Sequence, residues 1–155
     1  MQYPSRLGSG ANPDTAPNAS RPFSEADAVS IAAASDLNIA RSTRANLLVV
    51  GPEQLVKNVL KLVAPAGKRD AVVQAGEGRL QLPASSRPST LVIQDVDMLT
   101  TGEQRRLLEW LDGANTRTQV ISTASTPLLS RVEAHTFNET LYYRLNTIYI
   151  DLFDE

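Results

Sequence analysis

Continuous apolar runs alternate along this chain with stretches whose apolar residues recur at helical spacing. Leu91-Val92-Ile93, led by Thr90 and closed by Gln94-Asp95-Val96-Asp97, is the clearest run. An unalternating, β-branched segment of this kind suits a strand buried on both faces, as in parallel sheets covered by helices. Asn46–Val50, Ala71–Gln74, Thr118–Ser122 and Thr147–Leu152 predict four further strands. Between them, Leu55, Val56, Val59, Leu60 and Val63 mark one face of a helix over Glu53–Val63, with Lys57 and Lys61 outward. Leu107, Leu108 and Leu111 mark a helix running to Asp112, opened by the capping box Thr100-Thr101-Gly102-Glu103 and closed by Gly113. Asn138–Leu145 predicts a short helix, and Thr126-Pro127 an N-cap with proline at the first helical position.

The N-terminal part is less regular. Ser24–Asp27 has the form of a capping box, and Ala26, Val29, Ala33 and Leu37 share a helical face, which predicts a helix from about Glu25 to Ala34. Pro65-Ala66-Gly67 stops the Glu53 helix, Arg79–Leu82 suggests a short extra strand, and Pro83–Pro88 reads as a loop. Residues 1–22 carry four prolines among Ser, Gly and Asn, without periodicity. The expectation is a flexible tail over 1–22 and a single α/β domain, largely parallel, over 23–155.

Composition narrows the chemistry. The net charge is −2, so no global basic field draws nucleic acid or an anionic membrane. There is no cysteine, which removes disulfides, thiolate metal sites and cysteine nucleophiles. His135 is the sole histidine, which argues against a histidine metal site or triad. No apolar run approaches a membrane span and the N-terminus lacks a signal-peptide core, so the expected location is cytoplasmic.

Ligands in open parallel sheets sit beyond the carboxyl ends of the strands. Gln94, Asp95 and Asp97 stand at such an end, where a P-loop domain places its metal-handling and water-activating acids. A P-loop is a strand, then G-x-x-x-x-G-K-[ST], then a helix. Here Leu47–Val50 leads into Gly51-Pro52-Glu53-Gln54-Leu55-Val56-Lys57-Asn58, with Gly51 and Lys57 at the right spacing. Val56 replaces the second glycine, and a positive φ there would cost about 1–3 kcal/mol. Asn58 replaces the magnesium-binding hydroxyl, and Glu53 brings a negative charge to a loop meant for phosphates. The same residues also describe a plain strand–turn–helix with an exposed lysine.

Gly78–Leu82 and Ser89–Gly113 resemble the Walker B region of the AAA+ domain of sigma-54-dependent transcriptional activators, whose pattern runs G-R-F-E-L, then G-T-L-F-L-D-E-I-G-E-L, then L-Q-x-x-L-L-x-x-L. Phe137-Asn138-Glu139-Thr140-Leu141-Tyr142-Tyr143-Arg144-Leu145-Asn146 resembles the family's F-R-E-D-L-Y-Y-R-L-N. The resemblance covers about residues 40–152. It implies a Rossmann-like P-loop NTPase core of five parallel strands in the order 5-1-4-3-2. It makes Lys57 the phosphate lysine. It puts Gln94, a poor ligand for a hard cation, at the metal acid, and Asp95, one methylene short, at the water-activating glutamate. Ser125 falls on the sensor asparagine, Asn138 on the first inter-subunit arginine, and Arg144 on the second, finger-like one. The family's helix and its G-A-F-T-G-A loop, the part that engages the sigma factor, have no room between Gln74 and Gly78. A lid domain, a C-terminal helix-turn-helix and an N-terminal receiver domain are also expected to be missing.

Three readings follow. The first is a degenerate AAA+ core without ATPase chemistry that regulates transcription by binding another protein, an AAA+ regulator or itself, through the face carrying Arg144. The second is a weak ATP/ADP-binding regulator using Gly51, Lys57, Asn58 and Gln94 with little or no Mg2+ dependence. The third is a working ATPase using Asp95 and Arg144. No required cofactor and no metal site are expected beyond ATP or ADP with weak or no Mg2+ dependence, and neither direct DNA binding nor a membrane is expected.

Overall fold

The computed structural model describes residues 25–63, 70–83, 88–113 and 118–153. The expected tail, the Ser24 cap and the Pro65-Ala66-Gly67 stop lie outside them. Five strands, β1 (Leu47–Val50), β2 (Asp70–Gln74), β3 (Thr90–Gln94), β4 (Gln119–Ala124) and β5 (Ile148–Asp151), form one sheet in the order β2-β3-β4-β1-β5. Every neighbouring pair is parallel. This is the implied order 5-1-4-3-2, read from the opposite edge. The middle strand is β4, buried at every position, and β3 lies one place outward.

The helices are α1 (Glu25–Thr43), α2 (Glu53–Val63), α3 (Thr101–Asp112), α4 (Leu129–Glu133) and α5 (Glu139–Leu145). Right-handed crossovers assign each helix that follows β1 to a face of the sheet. Only the β1-to-β2 connection runs toward the β2 edge, so α2 lies on one face and the later connections on the other. Two apolar cores result. Leu47, Val49, Val92 and Ile121 of the sheet pack with Val56, Val59 and Val63 of α2 and with Ala33 and Leu37 of α1. Leu48, Val50, Leu91 and Ile93 pack on the other face with Leu107 of α3 and Leu141, Tyr142 and Leu145 of α5.

Three predicted elements are corrected. α1 continues past Ala34 to Thr43, because Leu37 and Ala40 extend the buried stripe while Ser35 faces outward. Arg79–Leu82 forms no strand. Its backbone is taken by side chains instead: the Leu80 N–H donates to Glu103 and the Leu80 carbonyl accepts from Arg106. The helix expected at Thr126-Pro127 begins at Leu129, because the Thr126 hydroxyl donates to the Asp97 carboxylate rather than capping a helix. The Thr100 capping box is present as predicted, with both reciprocal hydrogen bonds made.

Glu103 does more than cap. It is buried, and its carboxylate accepts from the backbone N–H groups of Thr100, Gly76 and Leu80. The turn after β2 holds Gly76, Glu77 and Gly78 at positive φ, and Glu103 fastens that turn to the start of α3. Among the described residues, the connection from β2 to β3 contains no helix, and this clasp fixes it to the sheet.

Candidate functional site at the carboxyl ends of the strands

The carboxyl ends of β1, β3 and β4 open onto a cleft of about 480 Å³. Gly51, Glu53, Val56, Lys57, Gln94 and Asp95 line it, together with Gln74 at the end of β2 and Ser125 just past β4. The fold thus brings together four of the residues expected to act on nucleotide: Gly51, Lys57, Gln94 and Asp95. Asn58 and Arg144 are not among its lining residues.

Local structure explains each placement. α2 starts at Glu53, two residues after Gly51, and the Val56 N–H already donates to the Pro52 carbonyl. The residues that a P-loop would wrap around phosphate are therefore the first turn of a helix. Val56 sits at an ordinary helical φ and buries its side chain in the α2 core, so the strain that a positive φ would impose does not arise. Gly51 answers a packing need: a Cβ there would lie 2.5 Å from Cβ of Leu152. Lys57 falls one turn along α2 from Glu53, and its Nζ pairs with Glu53 Oε1 at 2.5 Å. Donation from Lys57 holds the Glu53 carboxyl below the usual carboxylate range. Both side chains are exposed, so the pair adds little to stability. Asn58 is turned to the outer surface, where its Oδ1 accepts from Gln54.

Asp95 follows β3 in the left-handed region (φ 58°, ψ 49°), which aspartate tolerates better than most residues. Its N–H donates to the Thr123 hydroxyl, and its carboxylate accepts from the Gln74 amide. Gln74 and Gln94 are in register on adjacent strands, and both line the cleft beside Asp95. Ser125 donates to Asp97 Oδ2 at 2.7 Å. Asp97 is buried and also accepts from Thr126, while the Arg131 guanidinium donates to its backbone carbonyl. Ser125 and Asp97 thus tie the ends of β3 and β4 together. Gln74 was missed from the sequence; its signal was its place at the end of a strand beside Gln94.

A family described as the sigma-54 interaction domain matches residues 26–154. This chain belongs to that family. The match reaches further toward the N-terminus than the motifs do and takes in α1. Among solved structures, NtrX from Brucella abortus in complex with ADP matches 80% of this chain at a TM-score of 0.59 and 16% identity. NtrX from the same organism in complex with ATP matches 79% at a TM-score of 0.56 and 15% identity. The matched region is 35% and 36% of those chains, so this chain spans about a third of their length. The likeness shows a shared P-loop NTPase fold. No curated protein matches the sequence.

The most specific motif of the domain is largely architectural. Asn138 caps α5 by accepting from the Leu141 N–H, and Phe137, Leu141, Tyr142 and Leu145 are buried. Tyr143 is 61% exposed, and its ring meets that of Tyr142 edge-on. Arg144 is half-exposed, with its guanidinium donating to Asp112 of α3 at 2.8 Å. Trp110 is half-buried, its indole N–H donating to the Pro83 carbonyl. Among the described residues, no helix is long and apolar enough to cross a membrane, and no group of His, Cys, Asp and Glu is arranged to hold a metal.

Proposed function

We propose that this sigma-54 interaction domain acts in transcription regulation by binding another protein, and that it does not hydrolyse ATP. One observation carries the reading: the helix start at Glu53 replaces the phosphate loop and pairs Lys57 with its own carboxylate. A nucleoside triphosphate fits these residues poorly. The helix N-terminus offers N–H groups, but Glu53 opposes the phosphates there. Gln94 and Asn58 replace the carboxylate and hydroxyl that would hold magnesium. Asp95 is the remaining acid at the cleft floor, and the Gln74 amide restrains it. The exposed face of α5, with Tyr143 and Arg144, is the proposed contact with an AAA+ regulator or a further copy.

Thermal unfolding with and without millimolar Mg-ATP or ADP tests the nucleotide half. A ligand at 100 times its Kd would add about 2.7 kcal/mol and raise the midpoint by several degrees in a domain of this size. The expected result is no shift. The size of the cleft favours a second reading, a weak ATP/ADP-binding regulator. A shift that disappears in Lys57→Ala would establish that reading in place of the first.

The protein-binding half is tested by titrating the domain into an ATPase-active sigma-54 activator core and following hydrolysis. The domain is expected to change the rate, and Arg144→Glu to remove the effect. An unchanged response in Arg144→Glu would rule out the α5 face.

A further inference from the structure

The cleft is furnished for a ligand of the opposite charge to a nucleotide. The charged residues in its lining are Glu53, Lys57 and Asp95, two acids against one base. Lys57 is held by Glu53, one turn back on α2. Glu53, in the first turn, also offsets the positive end of that helix. Among the described residues, no cation pairs with Asp95. Its carboxylate is nevertheless held in place. The left-handed backbone, the N–H on the Thr123 hydroxyl and the Gln74 amide on Oδ2 fix it. The Gln74 amide is neutral, so the negative charge stays uncompensated, and Oδ1 takes no hydrogen bond from the described residues. Gln94, in register with Gln74, brings a second side-chain amide to the lining, and Val56 and Leu60 give α2's side of the cleft an apolar wall.

We propose that this cleft binds an alkyl guanidinium, the group carried by an arginine side chain, with Asp95 as its counter-ion. The inference rests on the reading that the cleft does not take a phosphate. A guanidinium is a planar fork of five N–H donors and pairs two at a time with a carboxylate. Oδ1 of Asp95 is open to it, Oδ2 is shared with the Gln74 amide, and the Gln94 side-chain carbonyl accepts a further N–H. The methylene stem lies along Val56 and Leu60, as such stems do on apolar surface. A guanidinium is more weakly hydrated than an ammonium, so it loses less water-binding energy on entering a half-enclosed cleft. A nucleotide brings its phosphates to the same uncompensated carboxylate and is repelled.

The side-chain amides of Gln74 and Gln94 give their own signals in nuclear magnetic resonance, so a titration of the isotope-labelled chain reads the site directly. The probes are butylguanidinium, butylammonium and ADP at matched ionic strength. Butylguanidinium is expected to shift the Gln74, Gln94 and Asp95 signals to saturation and to bind more tightly than butylammonium. Asp95→Asn should weaken that binding at least about tenfold, through loss of the charge-assisted pair. Asparagine accepts the left-handed backbone as aspartate does and keeps an oxygen for the Gln74 amide, so the variant retains the fold. N-acetylarginine amide separates the sources. Binding equal to that of butylguanidinium assigns the site to an arginine of a protein chain, and binding of butylguanidinium alone assigns it to a small guanidino compound. The proposal is overturned by the absence of a saturable shift, by equal affinity in Asp95→Asn, or by an equal response to butylammonium. ADP keeps the two failures apart: signals moved by ADP would also sink the nucleotide-free reading, whereas silence with both ligands would sink the guanidinium site alone.

Discussion

Replacing Glu103 by alanine is expected to cost about 4 kcal/mol of stability, the largest effect of any single polar change considered. The carboxylate takes hydrogen bonds from Thr100, Gly76 and Leu80, and Gly76 and Leu80 are themselves buried. Each buried donor left unsatisfied costs about 1–3 kcal/mol, and loss of the capping box adds about 1 kcal/mol. The thermal midpoint should fall by about 10 °C or more for a domain of this size. Chemical unfolding of Glu103→Ala beside the native chain measures it. A loss of under about 1 kcal/mol would mean that the clasp is not what fixes the β2–β3 connection.

The same residue predicts a pH dependence. Burial raises the Glu103 carboxyl, but the backbone donors Thr100, Leu80 and Gly76 outweigh it, and the net value lies below the usual 4.5. A lowered carboxyl contributes stability that is fully present above its unfolded value and is lost as pH falls through its folded value. The stability gap between the native chain and Glu103→Gln should therefore be widest above about pH 5 and shrink in acid. A gap that widens on acidification would contradict the assignment.

Val56→Gly, which restores a P-loop glycine in the sequence, should destabilise the domain by about 3 kcal/mol and confer no response to nucleotide. Val56 is 7% exposed and packs with Val59 and Val63 against the sheet. Deleting a buried aliphatic side chain costs about 2 kcal/mol or more, and glycine within a helix adds about 1 kcal/mol. Denaturant unfolding gives the first quantity, and a thermal scan with Mg-ADP the second. Should Val56→Gly stay as stable as the native chain and gain a nucleotide-dependent midpoint, the first turn of α2 would have to rearrange readily into a phosphate loop.

Much of the fold was legible because burial writes itself into composition. Leu91-Val92-Ile93 announces a strand covered on both sides, and α2 was read with the bounds it has, since five apolar residues fall on one helical face. The Thr100–Glu103 box was equally plain, because capping is local chemistry. The end of α1 was not. The helix was expected to end near Ala34, and packing of Leu37 and Ala40 carries it on to Thr43. Thr126 likewise has the sequence of a cap but is drawn to Asp97, a partner 29 residues away.

For the site, composition and spacing already name the chemistry-bearing residues the chain owns: Lys57 without a second glycine before it, Gln94 where an acid is expected, Asp95 beside it, and no cysteine or histidine pair. Spacing alone could not say whether Gly51–Lys57 is a loop or a helix, because both satisfy the same intervals. Tertiary structure decided that. Burial of Val56, Val59 and Val63 against β3 and β4 holds α2 in helical register from Glu53 onward, and that register places Glu53 one turn from Lys57. It also decided that Gly51 serves close packing against Leu152, that Glu103 clasps a distant turn, and that Val72 is left at an open edge. These are long-range contacts, and their partners meet only when the sheet has formed.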